Sequence, residues 1–402
     1  MKNKNYLGAL LLVAAALAGC GGEAPDGSSA SNASPAPTLA AEVGATASDP
    51  ILNQSGNPTY SLITTYTSWL STNSDSATAL AADKAKASNI VSWQMPHGGF
   101  YKTPAWYSAP WNGTAPRSGW FGANNVELGT IDNSATVTEI MFLANVYSRT
   151  GNTLYRASAR KALDFLLNMQ YASGGFPQVY PARGTTYSNY VTFNDDAMVR
   201  ALMLLDHAAQ QKAPLGAGFF TATQMARLNP TIDKAVGYIL NAQIVQNGTR
   251  TVWCAQHDPV TFAPLGARSY ELPSKSGYES ANVAAYLMTR PQTAEVAASV
   301  KAALAWYRSS AVQLKDTAYD KTGSALTNTS PFIYKAGSTT WYRFYDLTAD
   351  TGFFSGRLPT DNPPGTGKQY DIMNVEPERR YGYDWGGNWG SKLLTYAAKV
   401  GY

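Results

Sequence analysis

Sulfur and imidazole are the scarcest reactive chemistry in this chain. Its 402 residues include two cysteines and three histidines. His97, His207 and His257 fall into no His-x-Glu-x-x-His or Cys/His spacing, which excludes the common zinc sites. His207 stands in an apolar helical run and reads as structural. There is no Gly-x-Ser-x-Gly turn, so an α/β-hydrolase elbow is excluded, and no glycine-rich loop that would cradle phosphate. Charge is thin as well. Asp, Glu, Lys and Arg make up 14% of the chain, and the formal net charge is +4, of which Lys2 and Lys4 supply two, leaving +2. A field that weak does not recruit nucleic acid.

The apolar run from Leu7 to Ala18 is too short to span a bilayer. With Lys2 and Lys4 before it and Leu17-Ala18-Gly19-Cys20 closing it, residues 1–19 read as a lipoprotein signal peptide and Cys20 as the lipidated residue. The ordinary alternative is a secretory signal with an incidental cysteine. Gly21 after Cys20 points to the outer membrane of a Gram-negative bacterium, by resemblance to bacterial sorting rules. Residues 20–55 then form a flexible linker rich in Gly, Ser, Ala and Pro, which cannot bury enough apolar surface to offset its ordering entropy. Residues 56–402 form one domain, long enough for a large core. Cys254 is left without a disulfide partner and reads as a small core residue. A monomer is expected, touching the membrane only through the anchor.

What the chain does have is a repeat. Trp93-Gln94 precedes Gly98-Gly99-Phe100, Met169-Gln170 precedes Gly174-Gly175-Phe176, and Ala242-Gln243 precedes Asn247-Gly248. Helical patterns lead into each glutamine: Ala77–Val91, Leu154–Leu167 and Ile232–Leu240. Second helices, Ile140–Val146, Met198–Leu205 and Val283–Met288, follow the polar clusters Asn133-Ser134, Asp195-Asp196 and Glu279-Ser280. Helix pairs at this period predict stacked αα hairpins, and hairpins in a ring make an α/α toroid. From Pro331 to Gly387 the pattern changes to short strands with Arg343, Arg357, Arg379 and Arg380 interleaved, a plausible wall of a binding groove. Trp389 to Val400 reads as a closing helix.

The clusters Thr130-Ile131-Asp132-Asn133-Ser134 and Thr192-Phe193-Asn194-Asp195-Asp196 are rich in oxygen ligands for a hard cation such as Ca²⁺. Their bland reading is helix capping. The abundance of aromatics, 10 Trp and 25 Tyr, suits carbohydrate. Two chemistries remain open for an acid-rich helical toroid: glycoside hydrolysis by paired carboxylates, or β-elimination from a uronic acid. Arg268, in the run Ala267-Arg268-Ser269-Tyr270-Glu271, is either functional or half of a structural Arg–Glu pair.

The runs Gly174–Pro181, Thr130–Asn133, Phe193–Met198, Trp253–Pro259 and Ala267–Ser280 resemble the pectate lyases of polysaccharide lyase family 10, and the likeness spans roughly residues 60–400. The resemblance implies a mainly α fold, an incomplete α/α toroid with short β segments and long loops forming a substrate groove. It implies cleavage of polygalacturonate with Ca²⁺ as cofactor. Carried over by position, Asp132 and Asp195 become metal ligands with Asn133 possible beside them, and Arg268 becomes the Brønsted base. Arg343, Arg357 and Lys102 become contacts for substrate carboxylates, joined by Tyr270 and Trp341 as aromatic contacts. Free arginine is always protonated, so a base here requires an environment that favours the neutral form and an alkaline optimum. Asp196 stands where the family pattern leads one to expect an amide or small residue. Glu279 either orients Arg268 or caps its helix. The alternatives are an inverting glycosidase using Asp132 with Asp195 or Glu279, and a surface glycan-binding lipoprotein without catalysis.

Overall fold

The structure, a computed structural model, describes residues 63–73, 75–357 and 367–402. The proposed signal peptide, Cys20 and the linker 20–55 lie outside the described residues. The described chain is mainly α with short strands. Helix α1 (Ala77–Trp93) is followed by three hairpins: α2 (Val137–Thr150) with α3 (Thr153–Met169), α4 (Ala197–Ala209) with α5 (Ala222–Ala242), and α6 (Glu279–Met288) with α7 (Ala294–Arg308). Short helices α8 (Lys321–Thr327) and α9 (Pro377–Gly382) precede the closing helix α10 (Trp389–Lys399).

The hairpins stack in two layers. Helices α2, α4 and α6 touch one another in succession, and so do α3, α5 and α7. Burial matches these positions. Every residue of α6 is buried, as is nearly all of α4. In α5, by contrast, Leu228, Ile232, Ala235 and Ile239 are buried while Asp233 and Lys234 face solvent. A helix apolar all round belongs inside, and one with a single apolar stripe belongs on the outer layer. Helix α5 begins at Ala222, ten residues before the run read from the sequence, because Thr221 and Gln224 form a reciprocal capping box.

The repeated glutamines hold the layers together. Gln94 Nε2 donates to the carbonyls of Gly98 (2.8 Å) and Ser158 (2.9 Å). Gln170 Nε2 does the same to Gly174 (2.9 Å) and Thr231 (2.8 Å), and Gln243 Nε2 to Thr251 (2.9 Å) and Ser299 (3.0 Å). Each glutamine ends one outer helix, folds back its own loop and ties to the next outer helix. Gly98 and Gly174 sit at φ +100° and +103°, and a Cβ there would lie 2.3 and 2.1 Å from the carbonyl oxygens of Lys161 and Lys234. Glycine is required for both reasons.

Glu139 in α2 is buried; one oxygen accepts the Tyr107 hydroxyl at 2.8 Å and the other, Oε2, has no partner among the described residues. Burial pushes its carboxyl from 4.5 up to about 7. The folded state therefore holds this proton more tightly than the unfolded chain. Its stabilising contribution is complete below 4.5 and is lost as pH rises through about 7. The loss amounts to about 3 kcal/mol. Glu139→Gln is expected to flatten that part of the stability profile, as read by urea unfolding at a series of pH values; parallel profiles for the two proteins would contradict this.

The C-terminal part builds one wall. Strands Leu314–Tyr319 and Phe332–Tyr342 pair antiparallel, and the second continues onto Gly386–Gly387. Strand Phe344–Tyr345 pairs with Lys275–Ser276 and Gly352–Phe353. A second apolar cluster, including Tyr270, Phe344, Phe354, Tyr383 and Trp385, fills the space behind. Trp341 corrects its sequence reading. It is 1% exposed, and a Cβ on Gly390 would lie 2.4 Å from its indole ring, so it belongs to the core and offers no face to a substrate.

Candidate active site

The outer helices are capped by side chains: Ser76 for α1, Asn152 for α3, Thr221 for α5 and Thr293 for α7. The inner helices α2, α4 and α6 have no side-chain cap. The oxygen-rich turns that precede α2 and α4 are therefore doing something other than capping. Both are built alike. Asn133 and Ser134 have φ of +50° and +64°, and Asp195 and Asp196 have φ of +50° and +62°. The equivalent of Asp195 is thus Asn133, and that of Asp132 is Asn194. Two successive left-handed residues cost energy, and Asn and Asp bear that cost best.

This backbone lifts one residue out of each turn. Asn133 is exposed, and the Asp195 side chain is 40% exposed while Asn194 and Asp196 beside it are buried. Asp195 Oδ1 pairs with Arg343 Nη2 at 3.0 Å, and Oδ2 accepts Asn194 Nδ2 at 2.9 Å. Burial alone would raise the Asp195 carboxyl, but Arg343, Arg268 and Arg200 together hold it below the usual carboxylate range. Asp196 points inward, accepting Tyr278 OH at 2.9 Å and Asn282 Nδ2 at 2.6 Å. Arg200 lies 3.9 Å from Asp196 and also donates to Ser134, tying the two turns together.

Arg343 is buried beneath Asp195. Its Nη2 also bonds Glu279, and its guanidinium carbon lies 4.4 Å from the Tyr383 ring centre and 4.9 Å from that of Tyr278. Burial opposes its charge, but Glu279 outweighs that and holds it protonated. Arg343 therefore anchors the acids and is not placed to take a substrate carboxylate, which corrects the sequence expectation. Glu279, the first residue of α6, is Arg343's partner and not Arg268's.

Arg268 is clamped by Glu271, so the Arg–Glu pair that the sequence offered as the structural alternative is present. Nε and Nη2 both donate to the Glu271 carboxylate, the former at 2.8 Å, and Tyr383 OH donates to the same carboxylate at 3.1 Å. Burial disfavours the Arg268 cation, but Glu271 overrides it and keeps the guanidinium well above its ordinary range. In turn Arg268 and Arg343 outweigh burial at Glu271 and lower its carboxyl. The environment thus favours protonated Arg268, the reverse of what an easily formed base requires.

Tyr270 is a platform and not a substrate contact, since it is 1% exposed. The guanidinium carbons of Arg268, Arg357 and Arg379 lie 4.8, 4.9 and 4.8 Å from its ring centre. Cations over an aromatic face gain on the order of 1 kcal/mol, which offsets part of their mutual repulsion. Arg379 was absent from the sequence-derived site. At the other turn, Lys102 Nζ bonds Asp132 Oδ2 at 2.6 Å and lies 4.5 Å from the Trp120 ring centre. The Cys254–Pro259 motif is structural. His257 is fully buried, with Nε2 accepting Cys254 N–H at 2.9 Å and Nδ1 2.8 Å from the Phe262 carbonyl, and Cys254 is buried and unpaired.

Among the described residues, no three Asp, Glu, His or Cys side chains gather into a metal-holding group. The donor chemistry of the turns nonetheless suits a hard cation, because Asp195 and Asn133 present exposed oxygens. Such an ion would need further oxygens, from backbone carbonyls, water or a bound acidic ligand.

A family model described as pectic acid lyase matches residues 94–394. Two solved structures from Cellvibrio cellulosa, a family 10 polysaccharide lyase and a point mutant of it in complex with trigalacturonic acid, are each 42% identical to the chain. The mutant aligns over 86% of this chain and 99% of its own with a TM-score of 0.71; the other aligns over 87% and 98% with a TM-score of 0.70. No curated protein sequence matches.

Proposed function

The chain belongs to the pectic acid lyase family and is a polysaccharide lyase, and from that premise we propose that it cleaves α-1,4-linked polygalacturonate by calcium-assisted β-elimination, with Arg268 as base and 4,5-unsaturated oligogalacturonides as products. The observation that carries this reading is one exposed carboxylate, Asp195, facing the same cluster as Arg268 and the guanidinium-lined wall on Tyr270. The stacked hairpins are read as an incomplete α/α toroid with the polar turns along its groove.

The chemistry sets what the site must do. Elimination across C4–C5 removes a proton α to the uronate carboxylate, and the developing charge spreads onto that carboxylate. Calcium, held by Asp195 with Asn133 and Asp132 as neighbouring candidates, would supply the positive charge that offsets it. Arg343 keeps Asp195 ionised and in place. Arg357, whose side chain is 31% exposed, can take a neighbouring substrate carboxylate in a bidentate grip, and Lys102 can take another at the Asp132 turn. Arg268 accepts the C5 proton. Because Glu271 favours its protonated form, turnover should climb toward alkaline pH.

An inverting hydrolase would need one of its two acids protonated. Arg343 and its neighbours hold Asp195 ionised, and Glu279, whose carboxyl burial raises, is sealed against Arg343 and out of reach of a glycosidic oxygen. Family membership speaks against both that reading and a purely glycan-binding role. Anchoring to an outer membrane through Cys20 and a monomeric state complete the proposal; the first rests on Leu17-Ala18-Gly19-Cys20 and Gly21. The test is the ultraviolet absorbance of unsaturated products from polygalacturonate with added calcium and with excess chelator. Turnover that needs calcium and returns when it is restored is expected; full activity in chelator would remove the metal from the account.

A further inference from the structure

Arg268 has three guanidinium nitrogens, and the structure distinguishes them. Nε and Nη2 form the edge that grips Glu271, whose carboxylate is 2% exposed and fixed from the other side by Tyr383 OH at 3.1 Å. The Arg268 backbone N–H also reaches Glu271 Oε2 at 3.3 Å, so the clamp closes within one tight turn. Nη1 makes no hydrogen bond to any described residue, and the side chain is 27% exposed. A neutral guanidine carries one nitrogen without its extra hydrogen. Nε must keep its single hydrogen to go on donating. Nη2 could lose only the hydrogen turned away from Glu271 and would weaken its bond to the carboxylate, so Nη1, with neither hydrogen committed, gives one up at least cost.

We propose that Glu271 is a positioning residue that fixes the tautomer of Arg268, leaving Nη1 as the nitrogen that takes the C5 proton. The inference rests on the reading of Arg268 as base. It also removes the apparent conflict between a buried salt bridge and a base, because the clamp need not open. Solvent takes the Nη1 proton from free enzyme, and both bonds to Glu271 survive. The Nη1 lone pair then accepts the C5 proton. The C5–H electron pair becomes the C4–C5 double bond, and the C4–O bond breaks with its pair on the glycosidic oxygen, which is protonated by water. Arg268 ends as a guanidinium still held by Glu271. The logic parallels a carboxylate that fixes the tautomer of a catalytic histidine.

The other charged and titratable groups around the clamp are Tyr270 and Tyr383, with Arg357 and Arg379 across the Tyr270 ring, and Arg343 with Asp195. The cations favour loss of the Nη1 proton, whereas Asp195 and Glu271 oppose it. Removing the Glu271 charge while losing the two-point grip should therefore have two separable effects. The experiment measures kcat and KM of the full chain on polygalacturonate from neutral to strongly alkaline pH for wild type, Glu271→Gln, Glu271→Asp, Tyr383→Phe and Arg268→Ala.

For Glu271→Gln, kcat is expected to fall about 100-fold or more with KM little changed. The rising limb of its pH profile should move down by about one unit or more. Glu271→Asp, which keeps the charge, should leave the limb in place and recover part of kcat. Tyr383→Phe leaves the carboxylate less stabilised as an anion, so the limb should move up; this variant decides the matter if Glu271→Gln does not fold. A wild-type limb in Glu271→Gln or in Tyr383→Phe, with Arg268→Ala inactive, overturns the clamp and leaves Arg268 as base. Wild-type turnover in Arg268→Ala overturns the reading of Arg268 itself.

Discussion

Arg268→Ala is expected to lose about 10³-fold or more in kcat, because it removes the proton acceptor and a cation beside the developing charge together. The loss should fall on kcat and much less on KM, since Arg357 and Lys102 remain to hold substrate carboxylates. Folding should survive, although Glu271 loses its partner in a buried place. Tyr383 and Arg343 still surround that carboxylate, which limits the damage. Arg268→Lys makes the result specific. A lysine restores a positive charge but cannot grip Glu271 at two points while presenting a third nitrogen. It should remain close to the alanine variant in kcat, as measured from initial rates of product absorbance at alkaline pH. Recovery to near wild type with lysine would mean that Arg268 contributes charge alone.

Asp195→Asn is the second large effect. Asparagine suits the +50° φ at this position, and Asn133 already occupies the equivalent place in the other turn. The variant therefore removes the charge and leaves the turn. Turnover at fixed calcium should fall about 100-fold or more, and the calcium needed for half-maximal rate should rise by a similar factor. Thermal stability should change little, because the Asp195 side chain is 40% exposed and Arg343 keeps Glu279. Calcium titrations of initial rate with the two proteins decide it. An unchanged calcium requirement would place the ion elsewhere.

Much of the scaffold is legible in the sequence because repetition carries physical information. The Gln94, Gln170 and Gln243 spacing reflects one hydrogen-bonding device used three times, and Gly98 and Gly174 mark the same close approach of loop to helix. Helix positions follow from apolar period, whereas the start of α5 depends on a capping box that period does not register. Within the site, the polar turns before α2 and α4 stand out as pairs of oxygen-bearing residues. Their alternative role as caps is settled only by backbone angles and by the absence of cap bonds.

Depth is what residue type does not reveal. Trp341, Tyr270 and Arg343 have the chemistry of substrate contacts and are all buried, one in the core, one as a platform under three arginines and one as the counter-ion of Asp195 and Glu279. Arg357 and Lys102 keep exposed surface. Glu271 enters the sequence reading only as the acid of a structural Arg–Glu pair, because a pair three residues apart is common on protein surfaces. Here it is 2% exposed and fastened by a tyrosine from more than 100 residues away, which only the fold supplies.

The most direct test counts two kinds of chain end in one reaction. Each β-elimination makes one new reducing end and one unsaturated end, so the two should appear in equal number from the first measurable turnover of polygalacturonate, and both should vanish in Arg268→Ala. New reducing ends without ultraviolet-absorbing product would show hydrolysis and contradict the account.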